Sequence, residues 1–167
     1  MEWDPVKYFT ELTRKNKLCK EHKFKAVTCS GPENLEGLLS EYRRTSNFIV
    51  IDETSGNSVF NTKPGWQTRQ DTTIWVLAGY SQNDMDDRKE KLEMCRRIFR
   101  QFLSRLIYDK DKCWHRIDEP NLEFLDLNSV LYKELGRYSF NGATGLYFMI
   151  ANNLPTDLRY DEQAWEE

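Results

Sequence analysis

Two short spacings hold most of the chemistry this sequence could perform: Cys19-x-x-His22 near the start and Cys113-x-His115 past the middle. Two thiolates and two imidazoles would be enough for a tetrahedral zinc site if the segments met in space. Zinc fingers, however, pair cysteine with cysteine and histidine with histidine, and a Cys-x-His step places its ligands awkwardly unless the backbone bends. The four residues read more simply as unrelated side chains near element ends, so neither a metal nor another cofactor is expected. The same residues allow a second chemistry, with Cys113 or Cys19 as a nucleophile activated by a histidine folded against it. Nothing in their spacing selects that chemistry over coincidence.

His22 and His115 are the only histidines, so mechanisms that need several are excluded. The acidic pairs Asp52-Glu53, Asp86-Asp87 and Asp118-Glu119 fit loops and helix starts as well as they fit a hydrolase. The sequence contains no G-x-x-x-x-G-K-[ST] or G-x-G-x-x-G phosphate cradle, no G-x-S-x-G and no H-E-x-x-H. The chain is therefore read as non-enzymatic. The alternative is an enzyme of unknown class, either a Cys/His-based or a metal-dependent hydrolase. Trp66, Arg69, Trp75 and Trp114 could stack the bases of a single strand. A formal net charge of −3 weighs against nucleic acid as the partner, and core or interface packing is the simpler use of those rings. A small nucleic-acid-binding or regulatory module is a further alternative.

The elements that must position these residues follow from pattern. The 167 residues suit one domain with a real core, expected over 1–153, followed by a polar arm at 154–167. Hydrophobic residues make up 39% and aromatic ones 13%, enough to pack an interior and to anchor interfaces. The four cysteines, Cys19, Cys29, Cys95 and Cys113, are widely and irregularly spaced, which points to reduced thiols rather than a disulfide framework. No apolar run approaches the ~20 residues that cross a bilayer, and the start lacks a signal-peptide apolar region. A soluble, cytosolic protein with no membrane partner is expected.

Asp4-Pro5 opens a first helix as N-cap and first helical position, with Val6, Phe9, Leu12 and Leu18 on one face. A short strand "FKAVTCSG" and a short helix "PENLEGLLSEYRRT", with Leu35, Leu38, Leu39 and Tyr42 apolar, follow. "NFIVIDET" is a buried strand. "SGNSVFNTKPG" reads as turn chemistry that delays the return strand, with Pro64-Gly65 punctuating it. From Thr72 to Tyr80 both alternating sets contain apolar residues. Both sheet faces should then be covered, one by a helix and the other by protein or a neighbouring subunit.

The strongest helix runs over about 84–107. Leu92, Cys95, Phe99, Phe102 and Leu106 recur at steps of three and four, and Asp84, Asp86 and Asp87 complement the dipole at its start. Arg96, Arg97, Arg100 and Arg105 follow. They read either as a solvated face or as a surface for an acidic partner. Residues 109–144 form a long mixed connection, with strands expected near Leu122–Leu127 and Tyr132–Phe140, before the core strand Gly145–Asn153. The fold class is α+β: an antiparallel or mixed sheet packed on one face by helices, including the long amphipathic one.

Taken together, "NFIVIDET", "NTKPGWQTRQ", "DTTIWVLAGY", "SQNDMDD", the long helix and "TGLYFMIANN" resemble, in element order and texture over about residues 45–153, the tail terminator and tail completion proteins of tailed bacteriophages. Similar plans occur among neck and head–tail connector proteins. The resemblance implies a structural virion protein, made in the host cytoplasm. Its subunits would form a homo-oligomeric ring, commonly a hexamer, that joins the tail tube protein to the head–tail connector protein. It also implies that the excursion Asn57 to Gln70 faces the tube or a neighbour. The expected interface residues are Lys63, Trp66, Gln67 and Arg69 there, Arg96, Arg97 and Arg100 on the helix, and Trp165 in the acidic tail.

Overall fold

The computed structural model describes residues 3–41, 46–54, 56–113, 122–137 and 142–166, with residues 32, 38, 39, 41 and 113 through their backbone only. Within those bounds the chain is an α+β fold: a mixed seven-stranded sheet packed with helices.

Helix α1 spans Pro5–Lys15. Asp4 caps it, its Oδ1 accepting from the Lys7 amide at 3.0 Å, which satisfies one of the donors every helix start leaves open. The first helical stretch is two helices and not one, because Asn16 takes an extended conformation and its side chain accepts from the Cys19 amide. That cap starts α2, Lys17–Glu21. Strand β1 (Lys25–Cys29) runs parallel to β2 (Asn47–Asp52), joined by the crossover helix α3 (Gly31–Glu41). The remaining pairings are antiparallel. β2 pairs with β4 (Gly65–Gly79), and β4 pairs along its length with β7 (Ala143–Pro155).

Residues 57–70, expected as a polar excursion between strands, are instead a paired hairpin. β3 (Gly56–Thr62) folds against the first half of β4 through a turn at Lys63-Pro64, in register from Gly56 opposite Asp71 to Thr62 opposite Gly65. Gly, Asn, Ser and Pro in this segment signal a turn, yet β4 offers it a ladder, and long-range pairing overrides weak local propensity. On the far side of β7 lie two short strands, β5 (Leu125–Asp126), entered by a 3-10 turn at Leu122–Phe124, and β6 (Tyr132–Glu134). The strand expected at Tyr132–Phe140 therefore spans only its first three residues among those described, and residues 138–140 lie outside them. Tyr42 also lies outside.

Helix α4, Met85–Cys113, crosses one face of the sheet and is longer than its apolar stripe suggests. Asp84 Oδ1 accepts from both the Asp86 and Asp87 amides at 3.0 Å, closing its first turn. The stripe residues Leu92, Cys95, Phe99, Phe102 and Leu106 are all buried, joined by Ile98 and Met94. All of these except Leu92 meet Phe9 of α1 and the sheet residues Ile49, Ile51, Ile74, Val76, Leu146, Phe148 and Ile150 in one core. Phe9 and Phe99 pack against Phe148, the Phe9 ring edge-on to it at 5.8 Å, an arrangement that suits aromatic quadrupoles, and Phe102 packs against Phe9.

The other sheet face carries a smaller core, where Leu35 of α3 and Leu135 cover Cys29, Phe48, Val50 and Leu77. Cover on that second face therefore comes from the chain itself at the β1–β2 end. No helix among the described residues is long and apolar enough to cross a membrane.

Candidate functional site

Among the described residues, those with catalytic or ligating chemistry are not drawn together. Cys19 is fully buried in the main core, and desolvation pushes its thiol up to about 12. Burial does the same to Cys95, also to about 12, and Cys29 is pushed up to about 11 by burial and by the nearby Asp52 and Glu53 carboxylates. A thiol held protonated is a poor nucleophile and a poor metal ligand. His22, at the end of α2, lines a shallow surface depression with Leu18, Glu90, Lys91, Glu93, Met94 and Arg97. The Cys113 side chain, Trp114 and His115 lie outside the described residues, so the four-residue zinc arrangement cannot be assembled from what is described. Among the described residues no three His, Cys, Asp or Glu side chains group to hold a metal.

The expected interface residues separate into three groups. Lys63, Trp66, Gln67 and Arg69 lie on the β3–β4 hairpin. Trp66 faces solvent with 45% of its surface exposed, and Lys63 stands exposed at the turn. Arg69 is half-buried and donates through Nε to Asp71 Oδ1 at 3.0 Å. The hairpin is the outermost part of the sheet on its side. β3 has β4 as its sole strand neighbour among the described residues, and no helix packs substantially on it. Its sequence, "GNSVFNT", contains no charge and no proline, and Val59 is 53% exposed. An open edge presents a row of unpaired amides and carbonyls, and proteins ordinarily blunt such an edge with lysine, proline or a covering element. None of those devices is present within β3.

Arg96, Arg97 and Arg100 form the second group, and the structure engages two of them inside the molecule. Arg96 grips Glu134 of β6 with two hydrogen bonds, Nε to Oε1 at 2.7 Å and Nη2 to Oε2 at 2.9 Å, and reaches Glu93 at 3.1 Å through Nη1. This fork ties the edge strand β6 to α4 and holds the Glu134 carboxyl below the usual glutamate range. Arg100 donates to the other Glu93 oxygen at 2.9 Å. Arg97 is exposed and has no ion-pair partner among the described residues. The partner of Arg96 sits 38 positions away in the short strand β6, which no local pattern could have indicated.

Trp165 stands apart on the arm that leaves β7. Its root is fixed where the Thr156 amide donates to the Trp66 carbonyl at 2.9 Å and the two hydroxyls of Thr68 and Thr156 meet at 2.6 Å. Beyond that point Leu158, Tyr160 and Trp165 are 51%, 70% and 67% exposed. On the second sheet face, Trp75 and Tyr147 sit opposite each other on β4 and β7 with ring centroids 4.6 Å apart, and both are half-buried beside the α3 core.

Comparison of the chain with protein-family models, with curated proteins and with solved structures finds no match in any of the three.

Proposed function

We propose that this chain is a structural subunit that assembles with copies of itself into a ring. Its role would be that of a tail terminator, tail completion or neck protein, joining the tail tube to the head-side connector of a tailed phage. The observation that carries the reading is the open, uncharged edge of β3 on a hairpin bearing exposed Val59 and Trp66. Such an edge favours strand addition from a neighbour, in which main-chain hydrogen bonds supply affinity and alternate side chains supply selectivity. A hairpin edge meeting a different surface of the next copy is a head-to-tail contact, which closes a ring when the rotation permits. The resemblance to the phage family would put this same segment against a neighbour or the tube, which agrees with this reading. The absence of a grouped set of catalytic side chains among the described residues is compatible with that role and does not itself argue for it.

Light scattering of the purified chain, alone and mixed with its tail-tube partner, tests the reading. The expected mass is a multiple of the monomer in at least the second case. Val59→Lys should weaken that association while leaving folding stability within about 0.5 kcal/mol, as for other exposed positions. A monomer in both preparations contradicts the proposal.

A further inference from the structure

We propose that the arm beyond β7 docks, through Tyr160 and Trp165, in a groove along the second half of α4 on a second copy of the chain. The inference rests on the assembly reading above and names a second contact within that assembly. The groove, of about 420 Å³, is lined by Arg100, Gln101, Ser104, Arg105 and Tyr108. Its lining is largely hydrocarbon and ring, and its two guanidinium groups are each paired on one side within the chain, Arg100 to Glu93 at 2.9 Å and Arg105 to Asp109 at 2.8 Å, while remaining more than half exposed. Ile107 and Tyr108 on the same helix are 42% and 50% exposed. Two cations approach the Tyr108 ring, Arg105 at 5.7 Å and Lys112 at 4.3 Å from its centroid.

The arm has the opposite character. Residues 156–167 carry five acids and one arginine, whereas residues 96–112 carry six basic and two acidic side chains. Within the arm Arg159 is neutralised locally by Asp157, with Nε donating to its carboxylate at 3.0 Å, so the acids Asp161, Glu162 and Glu166 are left to face a partner. Asp161 also caps a single 3-10 turn, Glu162–Ala164, its Oδ1 accepting from the Gln163 amide at 3.0 Å. The turn sets Trp165 just past a fixed corner, which lowers the ordering cost of presenting it.

Tyrosine and tryptophan are the side chains that most often concentrate binding energy at the centre of an interface. Three large apolar side chains along one acidic arm, each at least half exposed, are such anchors in want of a pocket. A second copy supplies one whose charge is complementary and whose floor is apolar.

The test uses a fluorescently labelled synthetic peptide of residues 156–167, titrated into full-length chain bearing Tyr160→Ala and Trp165→Ala so that its own arm does not compete. Saturable anisotropy change is expected, weakened by roughly tenfold or more in the same chain with Arg100→Glu and Arg105→Glu, and weakened by added salt. Absence of saturation, or binding indifferent to the arginine reversals, overturns the docking. The masses of the wild-type chain and the arm double variant separate the two proposals. If the wild type assembles and the arm variant assembles equally well, the docking fails and the ring reading stands. If the peptide binds as expected and the wild type forms arm-dependent dimers but no larger assembly even with its tail partner, the ring reading fails and the docking stands; a wild type that stays monomeric overturns both.

Discussion

Gly145 has the most sharply constrained backbone in the sheet, and replacing it with alanine should damage the fold more than any other single-methyl addition. It lies in β7 opposite Leu77 of β4 with φ of +146°, a conformation that residues with a side chain rarely adopt. A Cβ built there would sit 1.9 Å from the Val76 carbonyl oxygen and 3.2 Å from the Leu77 Cα. Both obstacles are backbone of the central strand, so no rotamer change relieves them. The strained conformation costs roughly 1–3 kcal/mol. Separating the strands by about an ångström also weakens two or so ladder hydrogen bonds, each contributing about 1 kcal/mol. The expected loss is therefore about 3–5 kcal/mol, a large share of the stability of an ordinary domain. Urea unfolding followed by circular dichroism measures it as a lower midpoint at unchanged slope. Gly37 of α3 is the control, because a Cβ there meets nothing within 4 Å and alanine favours the helix. Gly37→Ala should be neutral or stabilising by up to about 1 kcal/mol. If Gly145→Ala loses less than about 1 kcal/mol, the β4–β7 register argued here is wrong.

Other consequences follow from particular side chains. Asn152 is 2% exposed and its Oδ1 has no hydrogen-bond partner among the described residues, a loss of about 1–3 kcal/mol. Asn152→Leu should therefore raise the thermal midpoint, and a fall would show that the amide serves a partner in the native state. The Arg96–Glu134 fork should contribute about 0.5–1 kcal/mol at neutral pH, a modest value because the two side chains are 38% and 35% exposed. The Glu134 carboxyl is depressed from its ordinary 4.5, chiefly by hydrogen bonds from Arg96, so the stabilisation is fully present above that pH and is lost as pH falls through the lower folded value. The stability difference between wild type and Glu134→Gln, measured by denaturant unfolding, should accordingly shrink in acid. A difference that grows on acidification contradicts the assignment. Cys19, Cys29 and Cys95 should resist alkylation at pH 8 in the native chain and react on unfolding, as read site by site by mass spectrometry. Rapid native labelling of Cys95 would place it outside the core.

Periodicity made the main layers legible and failed where pairing partners are remote. The steps of three and four through Leu92, Cys95, Phe99, Phe102 and Leu106 announced α4, and the β-branched run Phe48 to Ile51 announced β2, because burial alone dictates both patterns. Asp4-Pro5 marked the start of α1 through capping chemistry that is local. The break at Asn16 was hidden, since only the side-chain hydrogen bond to Cys19 turns a permissible helix residue into a cap. β3 was hidden for a different reason. "GNSVFNT" carries turn residues and becomes a strand only because β4 extends alongside it, a consequence of tertiary pairing. Trp66 and Trp165, singled out by residue type, both stand exposed. The arginines were not legible by charge alone, because Glu93 and Glu134 engage Arg96, and Glu93 engages Arg100, within the same molecule.

Amide hydrogen exchange along β3 tests most directly the claim that its open edge is where copies meet. In dilute, dissociated protein the amides of residues 57–62 that point away from β4 should exchange freely. If the chain assembles as proposed, they should slow by roughly tenfold or more as a neighbour pairs with them. Assembled particles in which those amides exchange as fast as in the free chain would contradict the account.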